Sequence, residues 1–101
     1  MKMHHVRYFL ALSEEQNFTR AARRCRVSQP TLTNAIKALE KEMGSELFSR
    51  SPVTRITDLG LAIKPYFEEI LLNVEHARKC AQSFNGGEII PTSKPLTASL
   101  S

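Results

Sequence analysis

At 101 residues, 42% of them hydrophobic, the chain has the size and apolar content of one small folded domain, which sets aside a disordered or multidomain protein. Two cysteines, Cys25 and Cys80, are too few for a disulfide framework, and no apolar run approaches the roughly 20 residues that span a bilayer, so a soluble cytoplasmic protein with no membrane partner is expected. The formal charge of +4 is unevenly spread: no Asp or Glu stands from Gln16 to Leu39, where Arg20, Arg23, Arg24, Arg26 and Lys37 fall, a local positive field suited to a polyanion.

His4 to about Gln16 places Val6, Phe9, Leu10 and Ser13 on one stripe, with Arg7, Glu14 and Glu15 elsewhere, and predicts an amphipathic helix. In "NFTRAARRC", Asn17 is a candidate N-cap, and Ala21, Ala22 and Cys25 are small enough to admit another helix at close range. In "SQPT", Ser28 is a second N-cap and Pro30 lies in a first turn, where its missing N–H removes no helical bond. The third helix then carries Leu32, Ile36, Leu39 and Met43 on one face, and Gly44 ends it. Gln29, Thr31, Thr33, Asn34 and Lys37 project away from that face, so burial has not claimed them.

"SELFSRSPVTRIT" turns to short extended character, with Leu47 and Phe48, a turn at Ser51 and Pro52, and Val53 to Ile56 rich in β-branched residues. It predicts a small hairpin carrying Arg50 and Arg55. From Asp58, capped by Thr57, the positions Leu59, Ile63, Phe67, Ile70, Val74, Ala77, Ala81 and Phe84 alternate spacings of four and three, which marks a coiled-coil-like seam rather than a helix lying on a small core. Pro65 inside it predicts a kink or a freed carbonyl. Beyond Asn85 the glycines, prolines and hydroxyl residues predict an irregular tail.

Two short helices joined by a tight turn, the second with a polar first turn, match the helix-turn-helix, whose second helix enters the major groove of DNA. Gln29 and Asn34 each offer a donor and an acceptor, as adenine needs. Lys37 reaches guanine or phosphate, Thr31 and Thr33 suit phosphate oxygens or a thymine methyl, and the free N–H groups of the helix start favour a phosphate. A polar face opposite an apolar stripe is also what any surface helix shows. The acid-free window, the Ala-Ala pair, the Ser-Gln-Pro start and the hairpin arginines converge on DNA.

The stretch "FTRAARRCRVSQPTLTNAIKALEKEMGSELFSRSPVTRITDLG" resembles the N-terminal DNA-binding domain of LysR-type transcriptional regulators of bacteria. Their pattern is Phe-Thr-x-Ala-Ala, Ser-Gln-Pro, a Leu-Glu pair, Leu-Gly, Leu-Phe-x-Arg and Leu-Thr-x-x-Gly, and the match runs from residue 1 to about 84. Cys25 and Met43 stand where leucine is usual, and Ile56 replaces the Leu of Leu-Thr. The segment from Arg50 to Ile56 is one residue short.

The resemblance implies a mainly α fold: a winged helix-turn-helix over 1–57, with the reading motif at about 18–37 and the wing at about 46–57, then a linker helix over 58–84 and a tail over 85–101. It implies a sequence-specific regulator that binds a palindromic operator in double-stranded DNA as a homodimer. The expected DNA-binding residues are Thr19, Ser28, Gln29, Pro30, Thr31, Thr33, Asn34, Lys37, Arg50 and Arg55, and the expected dimerisation residues are Leu59, Ile63, Phe67, Ile70, Val74, Ala77 and Ala81. Members continue into a two-lobed effector-binding domain that does not follow the linker helix here, so no small-molecule effector and no cofactor are expected to bind this chain. His4, His5 and His76 complete no metal-ligand spacing, and no catalytic constellation is apparent. The alternative is a protein-interaction module built on the 58–84 helix without direct DNA reading, for which the acid-free window would have no use.

Overall fold

The computed structural model describes residues 1–86, and the expected tail lies outside them from residue 87 onward. The elements run α1 (Met3–Glu15), α2 (Phe18–Cys25), α3 (Gln29–Met43), β1 (Phe48–Ser49), β2 (Arg55–Ile56) and α4 (Asp58–Asn85). The described part of the chain is mainly α, a winged helix-turn-helix followed by a long helix.

Side chains in the loops set the helix starts. Asn17 Oδ1 accepts the Arg20 N–H at 2.8 Å, Ser28 Oγ accepts the Thr31 N–H at 3.2 Å, and Thr57 Oγ1 accepts the Gly60 N–H at 3.1 Å. Each such cap is worth about 1 kcal/mol. The ends are left-handed residues: Gly44 at φ +87°, where glycine fits without strain, and the non-glycines Gln16 at φ 52° and Arg26 at φ 60°.

Two compact units divide the chain between Leu71 and Leu72. In the first, α1 packs against α2 and α3 around Val6, Phe9, Leu12, Ala21, Ala22, Leu32, Ile36 and Leu39. Ala21 and Ala22 let the helices close in, as small side chains should. Leu47 and Phe48 enter the same core, and the Phe9 ring meets Phe48 at 5.3 Å and Phe67 at 4.9 Å. Full burial of each large apolar side chain contributes roughly 1.5–3 kcal/mol.

The reading of α4 as a seam separate from the small core does not hold for its first half. Phe67 is buried, and Leu59, Ile63, Ile70 and Leu71 pack against the core. A four-three spacing marks one apolar face but cannot say whether the same chain or another covers it. The helix runs unbroken through Pro65, whose missing N–H leaves the Leu61 carbonyl without its helical partner. In the second unit the described residues are the last turns of α4, a single helix with Val74 half-buried and Ala77, Ala81 and Phe84 exposed.

The hairpin is antiparallel, pairing Phe48 with Ile56 and Ser49 with Arg55. It is shorter than the β-branched run predicts, since Val53 finds nothing to pack on and stays 53% exposed. Gly60 explains the glycine that follows Ile56 and Thr57. A Cβ there would stand 2.6 Å from the Leu47 carbonyl oxygen and 2.5 Å from Ile56 Cγ1, so only glycine lets the first turn of α4 lie against the wing.

Candidate nucleic-acid interface

The first turn of α3 is an exposed surface whose hydrogen bonds can be followed group by group. Ser28 Oγ both accepts the Thr31 N–H and donates to Thr31 Oγ1 at 2.8 Å. The Leu32 N–H goes to the Ser28 carbonyl, and Pro30 has no N–H. Of the N–H groups at this helix start, those of Ser28 and Gln29 therefore stay free among the described residues, together with the Thr31 hydroxyl proton. Ser28 spends its side chain on the cap.

Gln29, Pro30, Thr33 and Asn34 line one shallow open groove of about 450 Å³. A second, of about 390 Å³, shares Gln29 and Thr33 and is walled by Asn17, Phe18, Thr19, Arg50 and Thr54. The two form a continuous strip, edged by amide and hydroxyl side chains, from the first turns of α3 to the wing. Lys37 is exposed one turn beyond Thr33, with no ion pair among the described residues. Arg55 is exposed on β2 but does not line either groove, and Thr54 occupies the place expected of it.

Within the strip, the Thr19 hydroxyl donates to Gln29 Oε1 at 3.0 Å, linking the first turns of α2 and α3. Arg50 is held on three sides: its guanidinium donates to the Phe48 carbonyl at 3.2 Å and to Glu40 Oε1 at 3.3 Å, and lies 5.2 Å from the centre of the Phe18 ring. Glu40, the residue that closes the acid-free window, does more than mark its end. Its Oε2 accepts the N–H groups of Leu47 at 2.9 Å and Phe48 at 3.2 Å, so one carboxylate ties α3 to the wing and to Arg50. Sequence reading missed this role, as well as Phe18 and Thr54. The Leu-Glu pair before a glycine was the only signal for Glu40.

The arginine field is weaker than the linear sequence suggests. Arg24 pairs with Glu14 at 2.7 Å and with Glu15 at 3.3 Å, and Arg20 pairs with Glu15 at 3.4 Å and donates to the Glu15 backbone carbonyl at 3.1 Å. The acids lie just outside the window, but the turn at Gln16 folds the end of α1 onto α2. Hydrogen bonding and charge from Glu14 raise the already high pKa of Arg24. Arg23 and Arg26 are exposed and carry no ion pair among the described residues.

No helix among the described residues is long and apolar enough to cross a membrane, and no group of three metal-ligating side chains comes together in them. Burial pushes the Cys25 thiol up, as for a packing residue.

Similar proteins carry the same unit. The BudR transcriptional regulator of Klebsiella aerogenes is 39% identical over 93 residues, covering 85% of this chain and 64% of that protein. BenM of Acinetobacter baylyi is 40% identical over 76 residues, covering 74% of this chain and 25% of that protein. The chain thus spans less than two thirds of these relatives. Among solved structures, the BenM DNA-binding domain in complex with catB site 1 DNA is 34% identical with a TM-score of 0.81, covering 86% of this chain and 95% of that one. The CbnR DNA-binding domain in complex with DNA is 30% identical with a TM-score of 0.79, covering 84% and 99%. Residues 3–61 match the family described as bacterial regulatory helix-turn-helix protein, lysR family, and the chain belongs to that family.

Proposed function

We propose that the chain is a sequence-specific reader of double-stranded DNA that acts in transcription regulation, with α3 in the major groove and the wing at the backbone. The observation that carries this reading is the strip formed by Gln29, Pro30, Asn34 and the half-buried Thr33, open to solvent, edged by amide and hydroxyl groups and continuous with Thr19, Arg50 and Thr54. Asn34 supplies a base-edge donor and acceptor and Gln29 a further amide contact, while Thr31, Lys37 and Arg50 supply phosphate contacts. Arg55 serves as a further phosphate contact outside the strip. Solved complexes of related DNA-binding domains with DNA support the assignment.

The reading extends to a homodimer in the cytoplasm. A lone helix cannot bury its own apolar stripe, so Val74, Ala77, Ala81 and Phe84 call for a second copy. Leu59, Ile63, Phe67 and Ile70 leave this seam because they serve the core of their own chain. Two-fold pairing places two recognition helices on a palindromic site.

Salt dependence is the test. With two to four phosphates neutralised per chain, log K against log salt for a bound duplex should fall with a slope of about −4 to −7 for the dimer. Lys37→Ala should weaken binding to all sequences and flatten that slope, whereas Gln29→Ala should change preference at one position per half-site. A flat salt response would refute DNA reading and favour the interaction module.

A further inference from the structure

We infer that Thr19 is a positioning residue that orients the Gln29 amide and so decides which base edge Gln29 accepts. This deepens the DNA-reading proposal and rests on it. Gln29 is the first residue of α3, exposed, with several rotatable bonds, and a free glutamine there would present either end of its amide to DNA. The structure removes that freedom. The Thr19 hydroxyl, in the first turn of α2, donates to Gln29 Oε1 at 3.0 Å, so in this structure Oε1 is the branch of the amide that faces Thr19. The oxygen is engaged within the protein, and the amino group has no partner among the described residues, which leaves it as the donor for DNA.

Thr19 is held in place for this task. It sits two residues after Asn17, which caps α2 through the Arg20 N–H, and its helix packs through Ala21 and Ala22 into the core. Gln29 is fixed from the other side by the Ser28 cap and by Pro30. Thr19, Gln29 and Thr33 share one groove wall. The bond therefore joins two rigid helix starts and removes rotamer freedom that Gln29 would otherwise lose on binding.

The chemical consequence concerns the base. In the major groove guanine, adenine and thymine each present an acceptor, whereas cytosine presents the N4 amino donor. An amide locked with Nε2 outward matches an acceptor and opposes cytosine on the contacted strand. An unlocked amide can turn its oxygen outward and accept cytosine.

The test is selection of bound duplexes from a random-sequence pool by the whole chain and its Thr19→Val, Thr19→Ser, Gln29→Ala and Thr19→Val/Gln29→Ala variants, followed by competition binding at each position. Expected is a position per half-site where cytosine is disfavoured. Gln29→Ala should erase the bias, and Thr19→Val should reduce it by roughly 3–10-fold, part of the discrimination that a base-edge contact gives. Thr19→Ser should retain it, and Thr19→Val should add nothing in the Gln29→Ala background. Equal weakening of all duplexes by Thr19→Val, as for a phosphate contact, would overturn the inference while leaving the DNA-reading proposal intact. So would an unchanged cytosine bias in Thr19→Val when Gln29→Ala loses it. If Gln29→Ala changes nothing, both readings fall. In the free protein, the side-chain amide proton signals of Gln29 should shift towards those of a free glutamine in Thr19→Val but not in Thr19→Ser, and unchanged signals would also overturn the inference.

Discussion

Replacing Glu40 by Ala tests how one carboxylate joins the recognition helix to the wing. The Glu40 side chain is only 12% exposed, and it accepts from two backbone N–H groups and from the Arg50 guanidinium. Removing it leaves the Leu47 and Phe48 N–H groups short of an acceptor, at about 1–3 kcal/mol each where water is excluded. The Arg50 pair adds less than about 1 kcal/mol because the guanidinium is partly solvated. Alanine returns a few tenths of a kcal/mol in helix propensity. The balance is a loss of about 2–6 kcal/mol, and at roughly 4–8 °C per kcal/mol for a domain of this size even the low end should lower the melting temperature by about 8–16 °C. Glu40→Gln keeps one carbonyl oxygen but turns an amino group towards donors, and should lose about half as much. Thermal melts followed by circular dichroism measure this directly. A Glu40→Ala protein melting within about 2 °C of the parent would refute the latch.

Gly60→Ala drives a Cβ against the Leu47 carbonyl and Ile56, and overpacking of about 1–3 kcal/mol outweighs the helix-propensity gain of up to about 1 kcal/mol, so the melt should drop rather than rise. Arg26 holds a left-handed conformation that glycine adopts freely, and Arg26→Gly should raise stability by up to about 1 kcal/mol in denaturant titration. His5 has a pKa lowered from the ordinary 6.5, first by burial and then by the positive charges of His4, the N-terminus and Lys2, with its Nδ1 buried and without a partner among the described residues. The unfolded chain then binds the proton more tightly, so stability present above the ordinary histidine range should be lost as pH falls through and below it. His5→Gln should flatten the melting temperature between pH 7 and 5.

The architecture was legible because its signals are local. Asn17, Ser28, Thr57 and Gly44 cap the helices where the sequence places them, and periodicity selects Leu32, Ile36 and Leu39 of α3 and Val6, Phe9 and Ser13 of α1. In α1, however, Leu10 is only half-buried, and Ala11 and Leu12, outside the expected stripe, are buried because α1 is covered on a wider face. What depended on distant contacts was not legible. The ion pairs of Arg20 and Arg24 form only when the turn at Gln16 folds α1 back, and no spacing rule links Glu40 to Leu47 and Phe48. The stripe of α4 was visible, but its division between the chain's own core up to Leu71 and the half-buried Val74 and exposed Ala77, Ala81 and Phe84 is a property of where the core ends. Polar residues unclaimed by burial pointed to the recognition turns, yet the Thr19 to Gln29 bond needed the coordinates of two helices.

The most direct test of DNA reading by α3 is the symmetry of duplexes recovered from a random pool. The account predicts an inverted repeat with half-site centres about 10 base pairs, or a whole multiple of that, apart, and loss of preference at matching positions in both halves for Asn34→Ala. Recovery of no common sequence, or an unchanged pattern with Asn34→Ala and Gln29→Ala together, would contradict it.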